Sequence, residues 1–372
     1  MSKVVISGYY GFNNVGDESI LTSIVDNFKK YKKDIEITVL SANPESTSQK
    51  YDIQAVDRKN LWQIYKAIKD CDLFVSGGGS LLQDVTSHRS ITYYLAIIFM
   101  AILLRKKILI YGQGIGPINK SFNQYMVRWI LNKVDAIIVR DEGSQELLKR
   151  IGVNVPPIYV TTDPVISLRK GNIELGREIL IKAGIDPERK KPLIGFAIRG
   201  WRERDEFISN ICNIADKLIE NFDMDVVFIP FHFGEDIKIM EDIQNRMKQK
   251  AFFIKNRYDI NEMLGIVGNL NLLIGVRLHS LIFAAIMNTP FIAISYDPKI
   301  DSFMKSLQLE PLCSTEALND VDLILEIEKV QKNHESYKEL LEEKVKLLQE
   351  KLRVNEQIVI KLLKEGGCSS EA

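Results

Sequence analysis

Cysteine is scarce in this 372-residue chain, and no two of its four cysteines form a Cys-x-x-Cys pair. Their scattered positions argue against a disulfide framework and against a structural zinc site. The chain also lacks a signal-peptide pattern, because residues 3–7 already form an apolar stretch that predicts a strand. We therefore expect a cytoplasmic protein, in a compartment where thiols stay reduced. The cysteines are Cys71, Cys212, Cys313 and Cys368.

The chain has no excess of positive or negative charge, because 49 Lys and Arg residues balance 49 Asp and Glu residues. No overall field draws such a chain to nucleic acid, and we expect no nucleic-acid partner. His-Glu-x-x-His, EF-hand and Gly-x-Ser-x-Gly motifs are missing as well. Three Asp-x-Asp matches, at 70–72, 223–225 and 320–322, precede predicted strands or lie beside a helix. We therefore expect no metal ligands.

One apolar run, at 91–104, is too short to span a bilayer and longer than a typical strand. We predict a helix buried against a sheet. The alternative is contact with the inner face of a membrane, because Arg105, Lys106 and Lys107 follow the run directly.

The stretch 274–299 (IGVRLHSLIFAAIMNTPFIAISYDPK) is the most informative part of the chain. It predicts a buried strand that ends near Gly275, then a helix and a second buried strand. Parallel strands end at the same edge of a sheet, so Arg277, His279 and Lys299 should come out side by side. Together with a helix N-terminus they would form a cationic pocket for a small polyanion, with one titratable imidazole.

Unusual loops also follow the predicted strands of the first half, where open α/β sheets bind their ligands. Glycine-rich backbone lets a ligand approach closely, although the spacing fits neither a Walker loop nor the dinucleotide fingerprint. Asp17 is also a plausible helix cap. The candidate substrate-binding residues from these loops are Asn14, Gly16, Asp17, Gly77, Gly78, Gly79, Asp84 and Gln113.

Arginine recurs at the ends of predicted strands, at Arg140, Arg199 and Arg277. A single arginine in such a place is usually part of a structural ion pair. With Lys299, the three favour a compact and highly charged anion, because planar carboxylate and phosphate groups suit bidentate arginine. We include Arg199 among the substrate-binding candidates.

The length favours two domains, which we place at 1–165 and 174–372 with a linker at 166–173. We expect an α/β fold with two doubly wound Rossmann-like domains that face each other across a cleft, as in GT-B glycosyltransferases. A helix predicted at 336–365 would close the second domain and pack back across both.

Four motifs, in order and over nearly the whole chain, resemble the polysaccharide pyruvyltransferase family: GFNNVGDE, SGGGSLLQD, YGQGIGP with IIVRD, and RLH with SYDPK. The resemblance is closest to the branch that adds a pyruvate ketal to a cell-wall polysaccharide for surface-layer anchoring. It implies a donor site in the second domain, an acceptor site in the first and phosphoenolpyruvate as co-substrate without a cofactor. The donor-site residues that it implies are Arg140, Arg277, His279 and Lys299.

The implied reaction moves the enolpyruvyl unit onto two hydroxyls of one sugar and leaves a 4,6-ketal and phosphate. The implied acceptor is an N-acetylmannosamine residue of a lipid-linked precursor. The main alternative is a nucleotide-sugar-dependent glycosyltransferase, since many such enzymes share the two-domain plan. A non-catalytic carbohydrate-binding protein is a third class, but such proteins bind neutral sugars mainly with exposed aromatic residues and do not need clustered arginines.

Overall fold

The computed structural model describes residues 1–85, 88–186, 188, 190–199 and 204–366. Contacts divide the chain into two units. Unit 1 comprises Met1–Phe12, Asp17–Ser167 and Leu348–Ala372, and unit 2 comprises Asn13–Gly16 and Leu168–Leu347. Among the residues singled out in the sequence, Cys368 lies outside the described part.

Unit 1 contains a seven-stranded sheet in the order β3-β2-β1-β4-β5-β6-β7, and every described strand pairing is parallel. Its elements are β1 (Ser2–Ser7), α1 (Val15–Tyr31), β2 (Ile35–Ser41), α2 (Pro44–Tyr51), β3 (Gln54–Asp57), α3 (Leu61–Asp70), β4 (Leu73–Ser76), α4 (His88–Leu103), β5 (Lys107–Gln113), α5 (Ser121–Leu131), β6 (Ala136–Val139), α6 (Glu142–Arg150) and β7 (Ile158–Val160). A 3₁₀ turn, Pro164–Ser167, follows β7.

Unit 2 contains a six-stranded parallel sheet in the order β10-β9-β8-β11-β12-β13. Its elements are α7 (Ile173–Lys182), β8 (Leu193–Ala197), α8 (Arg204–Phe222), β9 (Asp225–Phe228), α9 (Phe233–Arg246), β10 (Phe252–Phe253), α10 (Ile260–Gly268), β11 (Leu272–Gly275), α11 (Leu278–Met287), β12 (Phe291–Ser295), α12 (Pro298–Ser306), β13 (Cys313–Ser314) and α13 (Asp320–Lys332). The last two helices of the chain are α14 (His334–Lys351) and α15 (Arg353–Gly366).

Both sheets follow the strand order 3-2-1-4-5-6 of doubly wound Rossmann-like folds. Every residue of β4, β6, β8, β11 and β12 is buried, as expected of parallel strands covered on both faces. The predicted fold class of two doubly wound α/β domains is therefore confirmed. In each sheet the order reverses between two neighbouring strands, β1 and β4 or β8 and β11, and ligands bind at such a switch point.

The central stretch folds as predicted, because its local signals agree with each other. The buried strand β11 is followed by α11, which ends where Asn288 adopts a left-handed conformation (φ 57) before Thr289 and Pro290. Lys299 differs from the expectation, since it does not lie in a strand exit. It is the second residue of α12, after the N-cap Asp297.

The predicted domain bounds need two corrections. The units divide between Ser167 and Leu168, inside the predicted linker, but Asn13–Gly16 group with unit 2 and Leu348–Ala372 with unit 1. The predicted helix at 336–365 is two helices, α14 and α15. The second of these belongs to the core of unit 1, where it buries the apolar side chains of Val359, Leu362 and Leu363. An amphipathic pattern shows that a helix has a buried face, but not which core receives that face.

The apolar run predicted as a helix forms α4, and most of its bulk packs in unit 1. Ile91, Leu95 and Ile98 are buried in the same cluster as side chains of β4 and β5. No helix within the described residues is long and apolar enough to cross a membrane.

The placement of α15 predicts a local effect on stability. We expect Leu363→Ala to lower the free energy of unfolding by about 2–5 kcal/mol, because it leaves a cavity. In hydrogen exchange, peptides that cover β4 and β5 should lose protection, while those that cover β11 and β12 should keep it. The exposed neighbour Lys361→Ala is the control, with a change within about 0.5 kcal/mol. Equal loss of protection in both sheets would contradict the assignment of α15 to unit 1.

Candidate active site

Charged and polar side chains gather at the carboxyl edge of the unit 2 sheet. β8 lies between β9 and β11, and β11 pairs with β12 on its other side. The loops that follow neighbouring strands therefore begin side by side at this edge. These loops carry Arg199 after β8, His232 after β9, Arg277 and His279 after β11, and Tyr296 after β12.

Arg277 is fixed by a carboxylate from the neighbouring strand exit. Its Nη2 atom contacts Asp236 Oδ1 closely and lies 3.4 Å from Glu235 Oε2. The Asp236 side chain is 1% exposed, and its other oxygen accepts hydrogen bonds from the backbone N–H groups of Phe231 and His232. One buried carboxylate thus joins the exits of β9 and β11 and holds the guanidinium in place. Among the described residues, the buried Nε atom of Arg277 has no hydrogen-bond partner.

The positive charges around Glu235 lower the pKa of its carboxyl group. Burial would raise the pKa of this carboxyl, but His232, Arg277 and Arg199 together lower it below its usual value. Burial would likewise lower the pKa of Arg199, yet its pKa is raised because Tyr296, Glu235 and Asp236 favour the charged form. These effects place the basic groups of three strand exits within electrostatic reach of one another.

A second group of side chains is centred on Tyr296. Its hydroxyl accepts a hydrogen bond from Arg199 Nη1 at 2.7 Å, and the Arg199 guanidinium lies 5.2 Å from the centre of its ring. Lys299 Nζ lies 5.6 Å from the same ring and 3.1 Å from Asp297 Oδ2. Arg199 and Lys299 therefore meet around one aromatic ring, as cations do on the faces of tyrosine and tryptophan.

The loop after the first strand of the chain completes this edge of unit 2. Val15 donates its N–H to the carbonyl oxygen of Phe231 at 2.9 Å, and Asn14 forms an antiparallel bridge with His232. Asn14 Oδ1 accepts a hydrogen bond from the N–H of Gly16, as a helix N-cap does for α1. A Cβ atom on Gly16 would lie 2.1 Å from Nδ1 of His279. Only glycine lets the backbone lie this close to the imidazole.

Acidic side chains accompany the basic ones at this edge. Among the described residues, Glu235 and Asp236 lie beside Arg277, and Asp297 lies beside Lys299. The N-caps of α9 and α11, His232 and Arg277, make no side-chain capping bond. The first N–H groups of these two helices are therefore placed to bind an anion.

The predicted donor residue Arg140 lies in unit 1. It is buried, and its Nη1 atom lies 3.0 Å from Asp163 Oδ2, while its Nη2 atom donates to Ser80 Oγ at 3.2 Å. A Cβ atom on Gly114 would come within 2.6 Å of the guanidinium. Arg140 thus ties together three loops at the carboxyl edge of the unit 1 sheet. Its role toward a donor stays a prediction.

The glycine run after β4 is explained by close packing within unit 1. A Cβ atom would lie 2.4 Å from the hydroxyl of Tyr10 at Gly77 and 2.7 Å from a side-chain atom of Ile20 at Gly78. At Gly79 the backbone is left-handed, with φ of 89°. What approaches these glycines so closely is therefore the protein itself, and any further contact with substrate stays a prediction.

Gln113, Asp84 and Asp17 also lie in unit 1. The amide nitrogen of Gln113 donates to Ser76 Oγ at 2.8 Å and joins the ends of β4 and β5. Its buried Oε1 has no hydrogen-bond partner among the residues that the structure describes. The carboxylate of Asp84 accepts hydrogen bonds from two backbone N–H groups and from Asn123, which orders the start of α5. Asp17 does not cap α1, because this helix begins at Val15 and Asp17 lies in its first turn.

Metal ligands were not expected, and no group of three or more His, Cys, Asp or Glu side chains within the described residues could hold a metal ion. The three Asp-x-Asp matches have partners of their own. Asp72 accepts a hydrogen bond from the N–H of Lys3 at 2.8 Å, and Asp223 and Asp320 each contact a lysine side chain.

Residues 14–298 match the sequence profile of polysaccharide pyruvyl transferases, and this match covers more than half of the chain. The chain belongs to the polysaccharide pyruvyl transferase family. It is therefore an enzyme, a transferase that acts in polysaccharide pyruvylation. AmsJ of Erwinia amylovora, an amylovoran biosynthesis protein, is 20% identical over 432 aligned residues, which cover 98% of this chain and 100% of AmsJ. The surface-layer branch stays a prediction.

Solved structures share the fold of this transferase. HepE of Anabaena, in complex with UDP-glucose, superimposes with a TM-score of 0.66 at 14% identity and covers 97% of this chain and 99% of its own. The UDP-GlcNAc 2-epimerase of Neisseria meningitidis reaches a TM-score of 0.63 at 14% identity, with 97% and 100% covered. At these identities the likeness shows the two-domain GT-B fold alone.

Several residues of this edge were missed by sequence reasoning. The candidates taken from the sequence do not include His232, Glu235, Asp236, Tyr296 or Asp297. The signal that finds them is the rule already applied to β11, that chemistry collects where parallel strands end. The FHFGED segment follows β9 and the YDPK segment follows β12, so the same rule applies to both.

The contact between Gly16 and His279 predicts an unusual sensitivity in this transferase. We expect Gly16→Ala to lower turnover by about tenfold or more, because the added methyl group must displace the loop or the imidazole. The matched control is Gly143→Ala on α6, where the new Cβ would come no closer than 3.5 Å to Asp141 Oδ1. Turnover and melting temperature of both variants are the measurements. A Gly16→Ala enzyme with normal turnover would show that the position of His279 does not depend on this contact.

Proposed function

We propose that this enzyme transfers the enolpyruvyl unit of phosphoenolpyruvate onto a sugar of a lipid-linked cell-wall polysaccharide precursor. The sugar that we propose is N-acetylmannosamine, in the surface-layer anchoring branch of the family. The observation that supports the proposal is the set of basic side chains at the strand exits of unit 2, with Arg277 and His279 after β11 and with Arg199 and Lys299 around Tyr296. We further propose that the reaction needs no metal and no cofactor.

The donor would be bound by directed hydrogen bonds. Phosphoenolpyruvate carries a planar carboxylate and a phosphate with three terminal oxygens. Both groups accept hydrogen bonds from arginine side chains and from the N–H groups at helix N-termini. Arg277 retains a buried Nε–H donor, and α9 and α11 begin without a side-chain cap. Arg199 and Lys299, which meet around Tyr296, supply further positive charge. Arg140 would act from unit 1.

In the proposed reaction, two sugar hydroxyls add in turn to the same carbon of the donor, and all protons are accounted for. A proton is added to the methylene carbon of the donor, and the first sugar hydroxyl adds to the neighbouring carbon. Phosphate then leaves with its bridging oxygen, and the second hydroxyl of the sugar adds to complete the ketal. One of the two hydroxyl protons replaces the proton given to the methylene carbon, and the other leaves with phosphate.

His279 is the general acid in this proposal. It occupies the first turn of α11, two residues after Arg277, and its Nδ1 edge is covered by Gly16. An imidazole can give a proton to carbon and take one from a hydroxyl near neutral pH. The fixed contact with Gly16 would hold the ring in one orientation, which proton transfer to a carbon atom requires.

A ligand-binding experiment tests the donor. We expect phosphoenolpyruvate at a hundred times its Kd to stabilise the protein by about 2.7 kcal/mol and, for a chain of 372 residues, to raise its melting temperature by roughly 3–4 °C. The same shift should persist in EDTA, whereas UDP-glucose should give none. Stabilisation by UDP-glucose and not by phosphoenolpyruvate would contradict the proposal and favour a nucleotide-sugar-dependent glycosyltransferase.

Two variants separate proton transfer from donor binding. We expect His279→Gln to lower turnover by about a hundredfold or more with donor affinity nearly unchanged. Arg277→Lys keeps a charge beside Asp236 but loses the planar donor group, so it should weaken donor binding by about tenfold to a hundredfold. His334→Gln, which removes a hydrogen bond to the Asn271 carbonyl oxygen, is the control. Near-normal turnover of His279→Gln would reduce this histidine to a structural residue.

A further inference from the structure

The helix α5 carries a stripe of exposed aromatic side chains. Phe122, Tyr125 and Trp129 are 71%, 61% and 40% exposed, and their i, i+3, i+7 spacing places them on one face. The other face of α5 packs in the core of unit 1 through Val127, Ile130 and neighbouring residues. Single exposed apolar residues are ordinary, but three aromatic rings on one helix face form a contiguous patch.

The patch extends to the end of α4. The rings of Phe99 and Trp129 lie 5.3 Å apart, so the two helices meet beneath the stripe. Leu103, near the end of α4, is 66% exposed. We call the surface formed by Leu103, Phe122, Tyr125 and Trp129 the aromatic patch.

The chain segment that carries the aromatic patch has charges of one sign. From Val85 to Val134 the sequence contains no Asp or Glu but seven Lys and Arg residues, although the whole chain has a net charge of +0. Lys133 Nζ lies 5.0 Å from the centre of the Trp129 ring. Arg105, two residues after Leu103, is exposed as well. Basic residues and exposed aromatic rings therefore occur together in the same part of unit 1.

We propose that the aromatic patch attaches this protein to an anionic lipid bilayer. Aromatic rings with a polar edge lie preferentially at the level of lipid headgroups, and lysine and arginine beside them are attracted to anionic lipids. The proposal shares Leu103 and Arg105 with the membrane contact considered for residues 91–104. It differs in that most of α4 is buried and the aromatic side chains that would enter the bilayer lie on α5. It does not rest on the proposed function, since it concerns attachment and not the reaction.

The basic charge of this segment favours an anionic bilayer over a second copy of this chain as the partner of the aromatic patch. If two copies of this chain met through the patch, symmetry would place each basic surface against its equal, and like charges would oppose the contact. An anionic bilayer complements the whole surface at once. The interaction gains from each apolar ring inserted and from each cation near the headgroups, so both parts can be tested separately.

Sedimentation with lipid vesicles tests the proposal. We expect binding to vesicles of phosphatidylcholine with phosphatidylglycerol, and much weaker binding to phosphatidylcholine alone or at high salt. Phe122→Ser/Trp129→Ser should weaken binding by about tenfold or more. Leu61→Ser/Trp62→Ser, which replaces an exposed apolar pair on α3, should bind like the unchanged protein.

Charge is tested with matched pairs of substitutions. Arg105→Gln/Lys133→Gln should weaken binding by about fivefold for each charge removed. Lys182→Gln/Lys250→Gln removes the same charge from unit 2 and should leave binding unchanged. On addition of vesicles the tryptophan emission should shift to the blue, and Trp129→Phe should abolish this shift while Trp62→Phe should not.

Three outcomes would overturn the proposal. The first is no binding of the unchanged protein to anionic vesicles at low salt. The second is equal loss of binding in the α3 variant, which would remove the assignment to α5. The third is a dimer that Phe122→Ser/Trp129→Ser converts to a monomer without any vesicle binding in either form, because the patch would then be an interface between copies. Melting temperatures near that of the unchanged protein show that the variants fold.

Discussion

The buried carboxylate of Asp236 is the interaction on which the candidate active site depends. It joins the backbone of Phe231 and His232 to the guanidinium of Arg277, and so couples two neighbouring strand exits. The same stretch of backbone pairs with Asn14 and Val15, whose loop continues to Gly16. The contacts therefore form a closed circuit, because Gly16 lies against His279 and His279 is two residues from Arg277.

This circuit explains why a buried ion pair is present at all. Removing a carboxylate and a guanidinium from water costs more than their attraction returns unless other hydrogen bonds satisfy both groups. Asp236 meets that condition with three hydrogen-bonding contacts, whereas the buried Nε of Arg277 has no partner in the described part of the chain. The pair therefore contributes mainly by fixing the position of Arg277. A bound anion that accepts a hydrogen bond from Nε would satisfy this remaining donor of Arg277.

Local patterns in the sequence were sufficient for the fold and for part of the site. Continuous apolar runs mark the strands. The rule that parallel strands end at one edge of a sheet predicts that Arg277 and His279 lie at that edge, after β11. Contacts between distant segments could not be predicted in this way. Asp236 and Arg277 are 41 residues apart, and no local signal pairs them. Likewise, nothing in GFNNVGDE indicates that Asn13–Gly16 group with unit 2 while the residues on either side belong to unit 1.

Glycine shows how one sequence signal can have two physical causes. The run Gly77–Gly79 suggested approach by a ligand, but Tyr10 and Ile20 occupy the space that side chains at Gly77 and Gly78 would need. Gly16 instead makes room for an imidazole of the candidate active site. Both cases satisfy the same requirement, that no Cβ fits, and only the neighbours distinguish packing from chemistry.

The charge distribution separates the two surfaces to which we assign binding. At the candidate active site, carboxylates lie beside the described cations Arg277 and Lys299, so we propose that directed N–H groups hold a donor anion more than a net field does. Such short-range contacts are little affected by salt, because screening acts mainly on separated and exposed charges. The segment 85–134 has the opposite character, with basic residues and no acidic ones. A chain whose net charge is zero can thus hold a small anion by geometry in one unit and approach an anionic surface by charge in the other.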